Sequence, residues 1–196
     1  MLKGNSSSDK LSADERKEVE IRLRKVDVTD TPRLDAEVLI DALCQITGTT
    51  ETYSSLIPEP FTFIPDNCRS IALPDGSISS PFLELFGRPP RDTGMESERN
   101  NKPTAAQRLH LLNSSHIRVK IERSKKLQSL MRYTKGEPRK SVNGLYLTIL
   151  SRFPTVDELK IIKEYSQGPK SKVKGRAALI DLAWALINSA EFLYRH

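Results

Sequence analysis

The sequence predicts a mainly α-helical, irregular domain of five to seven helices, with a long proline-rich loop over about residues 49–80 and at most a minor β-hairpin. Three observations carry that expectation. Apolar residues recur at three- and four-residue spacing along most of the chain, the period of a helix with one buried side. Helix-start signals, either Ser/Thr-x-x-Glu or a proline at the first helical position, stand in front of several of these runs. The remaining punctuation gathers in one place, where Pro58, Pro60, Pro65, Pro74 and the turn pair Asp75-Gly76 break any continuous helix.

Taken in order, residues 1–11 are a polar lead-in, and Ser12 with Glu15 forms a capping box for a charged helix reaching about Val26. Thr31-Pro32 starts the next helix, with Pro32 at its first position and Leu34, Val38, Leu39, Ala42, Leu43 and Ile46 on one side, and Gly48 closes it in a left-handed cap. In the loop, Phe61, Phe63, Ile64, Ile71 and Leu73 are the expected anchors, and Ser70–Leu73 could pair with Ser77–Ser79 across Asp75-Gly76. Ser80-Pro81 opens a short helix from Phe82 to Phe86 that Gly87 stops, and Arg88-Pro89-Pro90-Arg91 should be extended. Pro103-Thr104 starts a helix with Ala106, Leu109 and Leu112 facing inward, and a basic helix follows from about His116 to Arg132. Val142, Leu145, Tyr146, Ile149 and Leu150 form a stripe ended by Pro154. Thr155 and Glu158 make a second capping box, for a helix through Leu159, Ile162 and Tyr165 to Gly168. Ala178, Leu179, Leu182, Ala183, Leu186 and Ile187 make the most apolar helix, ending near Phe192, with Trp184, Phe192 and Tyr194 as core and terminal anchors. The organisation expected is a lead-in over 1–32 and a single helical domain over 33–196.

Charge and cysteines bound the function. The net charge is +6, but Arg118–Lys140 holds nine Lys/Arg against Glu122 and Glu137, a local excess larger than that of the whole chain. Such a block suits an anionic partner, although basic helices are more often solvated faces. With Tyr133 as its single aromatic, it lacks a stacking platform for single-stranded nucleic acid, which is not the expected partner, and an anionic glycan or lipid head groups stay open. Cys44 and Cys68 fit neither a metal spacing nor a CxxC motif, and a bridge between them requires an oxidising compartment. No cofactor motif is found. No apolar run is long enough for a membrane span, and MLKGNSSSDK lacks the apolar core of a signal peptide.

The densest chemistry lies between Ser80 and Ser115. Arg88, Arg91 and Arg99 stand among Asp92, Glu96 and Glu98 within twelve residues, with His110 and His116 following. Arginine forks at this density grip a carboxylate, sulfate or phosphate, or else pin an irregular loop by internal ion pairs, and the second use is favoured. Arg88, Arg91, Arg99 and His116 are therefore the candidate ligand-binding groups. Asp92, Glu96, Glu98 and His110 are the candidate acid–base groups, although their spacing fits no EF-hand and no nucleophile motif accompanies them. His110 and His116, six apart, do not share a helical face, so no metal site is expected.

Four blocks in this order, RLDAEVLIDALCQITG, FLELFGRPPRDTGMESERNNKPTAAQRLHLLNSS, LYLTILSRFPTVDELK and ALINSAEFLYRH, resemble the C-terminal half of a planctomycete-type secreted domain, domain of unknown function 1553. The resemblance covers roughly Arg33 to His196, and residues 1–32 do not resemble the usual lead-in. It implies a mainly helical domain at the end of large secreted or cell-envelope proteins, with no activity to carry over. The partners it implies are the remainder of the same domain or an accompanying cytochrome-c-like domain. The function expected is a non-enzymatic structural or interaction domain. The alternatives are a hydrolytic or carbohydrate-processing part of a larger envelope enzyme, and an anion-binding module using the basic helix 118–140.

Overall fold

The computed structural model describes residues 33–55, 63–73, 78–88, 99, 102–167 and 175–194. The chain divides between Thr31 and Pro32, and every described residue belongs to the second unit, Pro32–His196. The Ser12–Glu15 capping box and Phe61 lie outside the described residues. Among those described are seven α-helices of eight residues or more, two single-turn helices, a 3-10 turn and one minimal strand pair. The mainly helical class is as the sequence predicts.

Helix α1 spans Ala36–Thr47. It starts later than Thr31-Pro32 suggested because the residues before it are held extended. Arg33 forms an antiparallel bridge with Tyr194, and Leu34 N–H donates to the Leu193 carbonyl at 3.0 Å. Ala36, Leu39, Ile40, Leu43 and Ile46 are buried, as a helical stripe requires. Gly48 ends the helix at φ 66°, ψ 36°, its N–H bonded to the Cys44 carbonyl. A side chain there would also meet Lys126, whose Cγ lies 2.9 Å from where a Cβ would stand. Lys126 Nζ donates to the Gln45 carbonyl at 2.6 Å, placing a cation at the negative end of α1.

The loop differs from the expected hairpin. β1 (Ser54–Ser55) pairs antiparallel with β2 (Ile78–Ser79), with Ser54 opposite Ser79, while Ser70–Ala72 forms a 3-10 turn instead of a strand. The cause is Asp41 on α1, whose carboxylate accepts the N–H groups of Ser70 at 2.8 Å and Ile71 at 3.3 Å. A carboxylate across two successive N–H groups favours a turn there over a ladder. Leu73 is buried and Ile64 packs on the core, but Phe63 and Ile71 are 70% and 61% exposed and do not anchor the loop.

α2 (Pro81–Leu85) has Ser80 as its cap and Gly87, at φ 105°, behind it. Phe82, Leu83 and Phe86 enter the core. α3 (Ala105–Asn113) begins with a capping box between Thr104 and Gln107. Its orientation corrects the sequence reading: Gln107 and Leu111 are buried, while Ala106, Leu109 and Leu112 are exposed. The single basic helix is also two helices, α4 (Ser115–Glu122) and α5 (Lys125–Tyr133). Ser124 separates them. Its hydroxyl donates to the Thr47 carbonyl at 2.7 Å and accepts the Leu127 N–H at 3.0 Å, so it closes α1 and opens α5 at once.

α6 (Pro138–Leu150), α7 (Val156–Gln167), α8 (Arg176–Ile187) and α9 (Ala190–Leu193) complete the chain. α6 packs along α8, α1 packs against α2, α4 and α5, and α4 reaches α8, giving one hydrophobic core. Among the described residues no helix is long and apolar enough to cross a membrane. The predicted capping box of α7 forms, with Thr155 N–H to Glu158 at 2.7 Å and Glu158 N–H to Thr155 Oγ1 at 3.3 Å. Glu158 also shares Arg152 with Glu191. The guanidinium makes paired bonds to each carboxylate, at 2.8–2.9 Å and 2.6–2.7 Å, and lies 5.3 Å over the Tyr146 ring. One arginine thus ties the end of α6 to the starts of α7 and α9.

The Arg152 hydrogen bonds hold the Glu158 carboxyl down at about 2. A depressed carboxyl stabilises the fold above its unfolded pKa and loses that contribution as pH falls through the folded value. The melting temperature should therefore drop between about pH 4.5 and pH 2. In Glu158→Gln, which keeps the capping box without titrating, that part of the slope should disappear; an unchanged slope in thermal melts would show that the clamp is not coupled to folding.

Candidate functional site

Of the residues that the sequence singles out, Arg91, Asp92, Glu96 and Glu98 lie outside the described residues. Arg88, Arg99, His110 and His116 lie within them. Arg88 and Arg99 gather on one glutamate and His116 on another, while His110 packs against phenylalanine rings.

The first centre is Glu37. Its place in the first turn of α1, beside Ala36 and one turn before Ile40, carries its carboxylate under the apolar stripe, where its side chain is 8% exposed. Arg99 grips it with two parallel bonds, Nη1 to Oε2 and Nη2 to Oε1, both 2.9 Å. Arg88, itself buried just after α2, places Nε 3.7 Å from Oε1. Burial alone would raise the Glu37 carboxyl, but the Arg99 bonds and the Arg88 charge more than offset it, so the carboxyl sits below the usual range. Arg33, 4% exposed, donates Nη2 to the Phe86 carbonyl at 3.0 Å, bonds the Gln107 carboxamide oxygen through Nη1, and lies 5.0 Å over the Phe86 ring. Gln107 passes the bonding on. Its oxygen accepts the Thr104 N–H at 2.9 Å and its nitrogen donates to the Leu85 carbonyl at 2.8 Å.

The second centre is Glu51, just after α1. Its Oε1 lies 2.8 Å from His116 Nε2 and 2.7 Å from Lys120 Nζ, both on α4. Lys120 is buried and also donates to Thr49 Oγ1 at 2.9 Å, the Thr50 carbonyl at 3.3 Å and Cys44 Sγ at 3.4 Å. Burial pushes the Cys44 thiol up, and Lys120 offsets this only in part, so the group is a protonated thiol at neutral pH and a poor nucleophile. Cys44 and Cys68 are both free.

Aromatic rings join the clusters. Phe82 stacks on Phe86 at 4.4 Å, and His110 meets both rings edge-on at 5.7 and 5.9 Å. His116 meets Phe82 at 6.3 Å. Burial, followed by the nearby His116, lowers the His110 pKa. Its Nε2 is buried without a hydrogen-bond partner among the described residues. Among the same residues no group of three or more His, Cys, Asp and Glu is arranged to hold a metal ion.

Reasoning from sequence missed Arg33, Glu37, Gln107, Glu51 and Lys120. One signal was available: Glu37 is a carboxylate inside an apolar helical stripe, and such a group needs a buried counter-charge. The arginines of the 88–99 segment were the obvious supply. Gln107 had a signal too, three residues after Thr104 in capping-box spacing.

These features define a helical domain built around buried ion pairs. The family model described as PSD1, protein of unknown function (DUF1553), matches residues 5–166, and the chain belongs to that family. The match begins within the lead-in that the sequence had set apart. It ends in α7, short of α8 and α9. No curated protein and no solved structure matches the chain.

Replacing Glu37 by Gln would leave Arg88 and Arg99 buried beside a neutral group. The expected loss is about 3 kcal/mol, the low end for a broken buried pair because the amide still accepts. That lowers the melting temperature by roughly 6–12 °C for a chain of this size. The exposed Arg139→Ala control should shift it by about 2 °C or less. Equal small shifts in both variants would remove Glu37 from the centre of the fold.

Proposed function

We propose that this chain is a non-enzymatic structural or interaction domain in which the arginine-rich segment serves the fold. The observation that carries the reading is the commitment of Arg99 and Arg88 to the buried Glu37 carboxylate. Guanidinium groups held this way are fold organisers and do not sit open to an incoming anion. The chemistry of the described candidates supports the same reading: His110 is packed edge-on against two phenylalanines with its basicity lowered, and Cys44 is held as the neutral thiol. In this role the partner is a neighbouring domain, such as the cytochrome-c-like domain that the family resemblance implies. The test is turnover: the purified chain, offered a panel of chromogenic glycosides and esters, should show none above buffer. Hydrolysis that Asp92→Asn or Glu96→Gln abolishes at unchanged melting temperature would replace this reading with a hydrolytic one.

A second reading, anion binding by the basic region, is favoured by one observation. Arg123, Lys125, Arg132, Lys135 and Arg139 are exposed and pair with no carboxylate among the described residues, whereas Arg118 and Lys140 pair with Glu122 and Glu137. On a heparin column, Lys125→Glu/Arg132→Glu should elute at clearly lower salt than Lys160→Glu/Lys163→Glu, which changes the net charge equally on α7. Equal elution would assign any retention to overall charge.

A further inference from the structure

Away from both glutamates, a cleft of about 480 Å³ opens between the end of α3, α4 and α8. This volume falls in the range of small-ligand sites, about 300–1,000 Å³. Its lining combines one aromatic residue with apolar and hydrogen-bonding ones. Trp184, half-buried on α8, and Leu112, 48% exposed at the end of α3, supply apolar surface, which Ile121 and Ile180 extend. Asn113, Arg118, Glu122 and Asp181 supply the polar groups.

Several of those groups are uncommitted. The Asn113 carboxamide and the Trp184 indole N–H bond to no other described residue. Glu122 gives Oε1 to Arg118 at 2.8 Å, and Asp181 gives Oδ2 to the Tyr165 hydroxyl at 2.7 Å, which leaves Oε2 and Oδ1 as acceptors. Charge then selects the ligand class. Arg176 at its edge donates Nη2 to the Glu122 carbonyl at 3.0 Å, so two carboxylates stand against two guanidiniums, and a sulfated, phosphorylated or uronate ligand gains no net attraction. The same balance gives a cationic ligand no net attraction either. What remains is an uncharged molecule with one apolar face and many hydroxyls.

We propose that this cleft binds a neutral oligosaccharide, with a sugar ring packed on Trp184 and its hydroxyls bonded to Asn113, Glu122 and Asp181. The site lies apart from the Glu37 centre and goes beyond the structural reading given above. Trp184 is the single tryptophan of the chain, so intrinsic emission reads this site alone. Titrating the full chain with cellotetraose, maltotetraose and tetra-N-acetylchitotetraose, up to about 10 mM, reaches saturation for a millimolar site. The expected result is a saturable emission change with at least one of them, undisturbed by heparin. Asn113→Ala should weaken it about three- to tenfold, the worth of one hydrogen bond, at unchanged melting temperature. A flat titration with all three sugars, displacement by heparin, or an Asn113→Ala and Glu122→Gln pair that both bind as tightly as the parent would each overturn the assignment. Recovering the sugar after incubation separates the two readings: an intact oligosaccharide leaves both standing, and a cleaved one keeps the site but ends the non-enzymatic reading.

Discussion

A carboxylate buried beneath an apolar helix face is the constraint on which much of this domain turns. Glu37 enters the core on the same side of α1 as Ala36 and Ile40, and the ionised group is tolerated there because Arg99 and Arg88 meet it. Both arginines follow α2 in the sequence, and the ion pairs fix Arg88 and Arg99 against α1.

Arg33 extends the constraint in the other direction. Held extended by its bridge to Tyr194, it sends its guanidinium to the Phe86 carbonyl and to Gln107. Gln107 must therefore point inward, and it takes the start of α3 with it. That rotation exposes Ala106, Leu109 and Leu112, which a purely hydrophobic reading of the helix places in the core. Gln107 makes three bonds in its buried site, and turning it to solvent would leave the Arg33 guanidinium, the Thr104 N–H and the Leu85 carbonyl without that partner, at about 1–3 kcal/mol for each that stays buried. The same logic accounts for the break between α4 and α5. Ser124 satisfies both a carbonyl at the end of α1 and an N–H at the start of α5, a pair of bonds that continuous helix would forgo.

The contrast between what was legible and what was not follows from range. Gly48, Ser80-Pro81, the Thr155–Glu158 capping box and the stripes of α1, α6 and α8 were readable because their causes lie within a few residues of sequence. The errors all have distant causes. Ser70–Leu73 reads as a strand until Asp41, about thirty positions earlier, caps it into a turn. Pro32 reads as a helix start until Tyr194 holds Arg33 extended. Of the candidate site, the arginines Arg88 and Arg99 were visible as a cluster, but their shared partner Glu37 was not, since no local pattern links positions more than fifty apart. His116 was visible only as a lone histidine. Its pairing with Glu51 comes from packing α4 against the end of α1.

Where the fold uses its charged groups also says where a ligand could still find free ones. Around Glu37 and Glu51 the side chains are bonded to one another several times over, and a ligand entering either place would have to displace existing ion pairs before gaining any of its own. Those exchanges bring little net affinity, because each displaced charge is left buried beside a vacated partner. The cleft at α3, α4 and α8 differs in that its carboxylates keep unused acceptor oxygens and its aromatic group is partly exposed. A ligand there replaces water only, and replacing water on an indole face and a leucine is favourable in itself. The charges that bond one another around Glu37 and Glu51 hold the fold together, and the cleft at α3, α4 and α8 is where side chains keep unused acceptors.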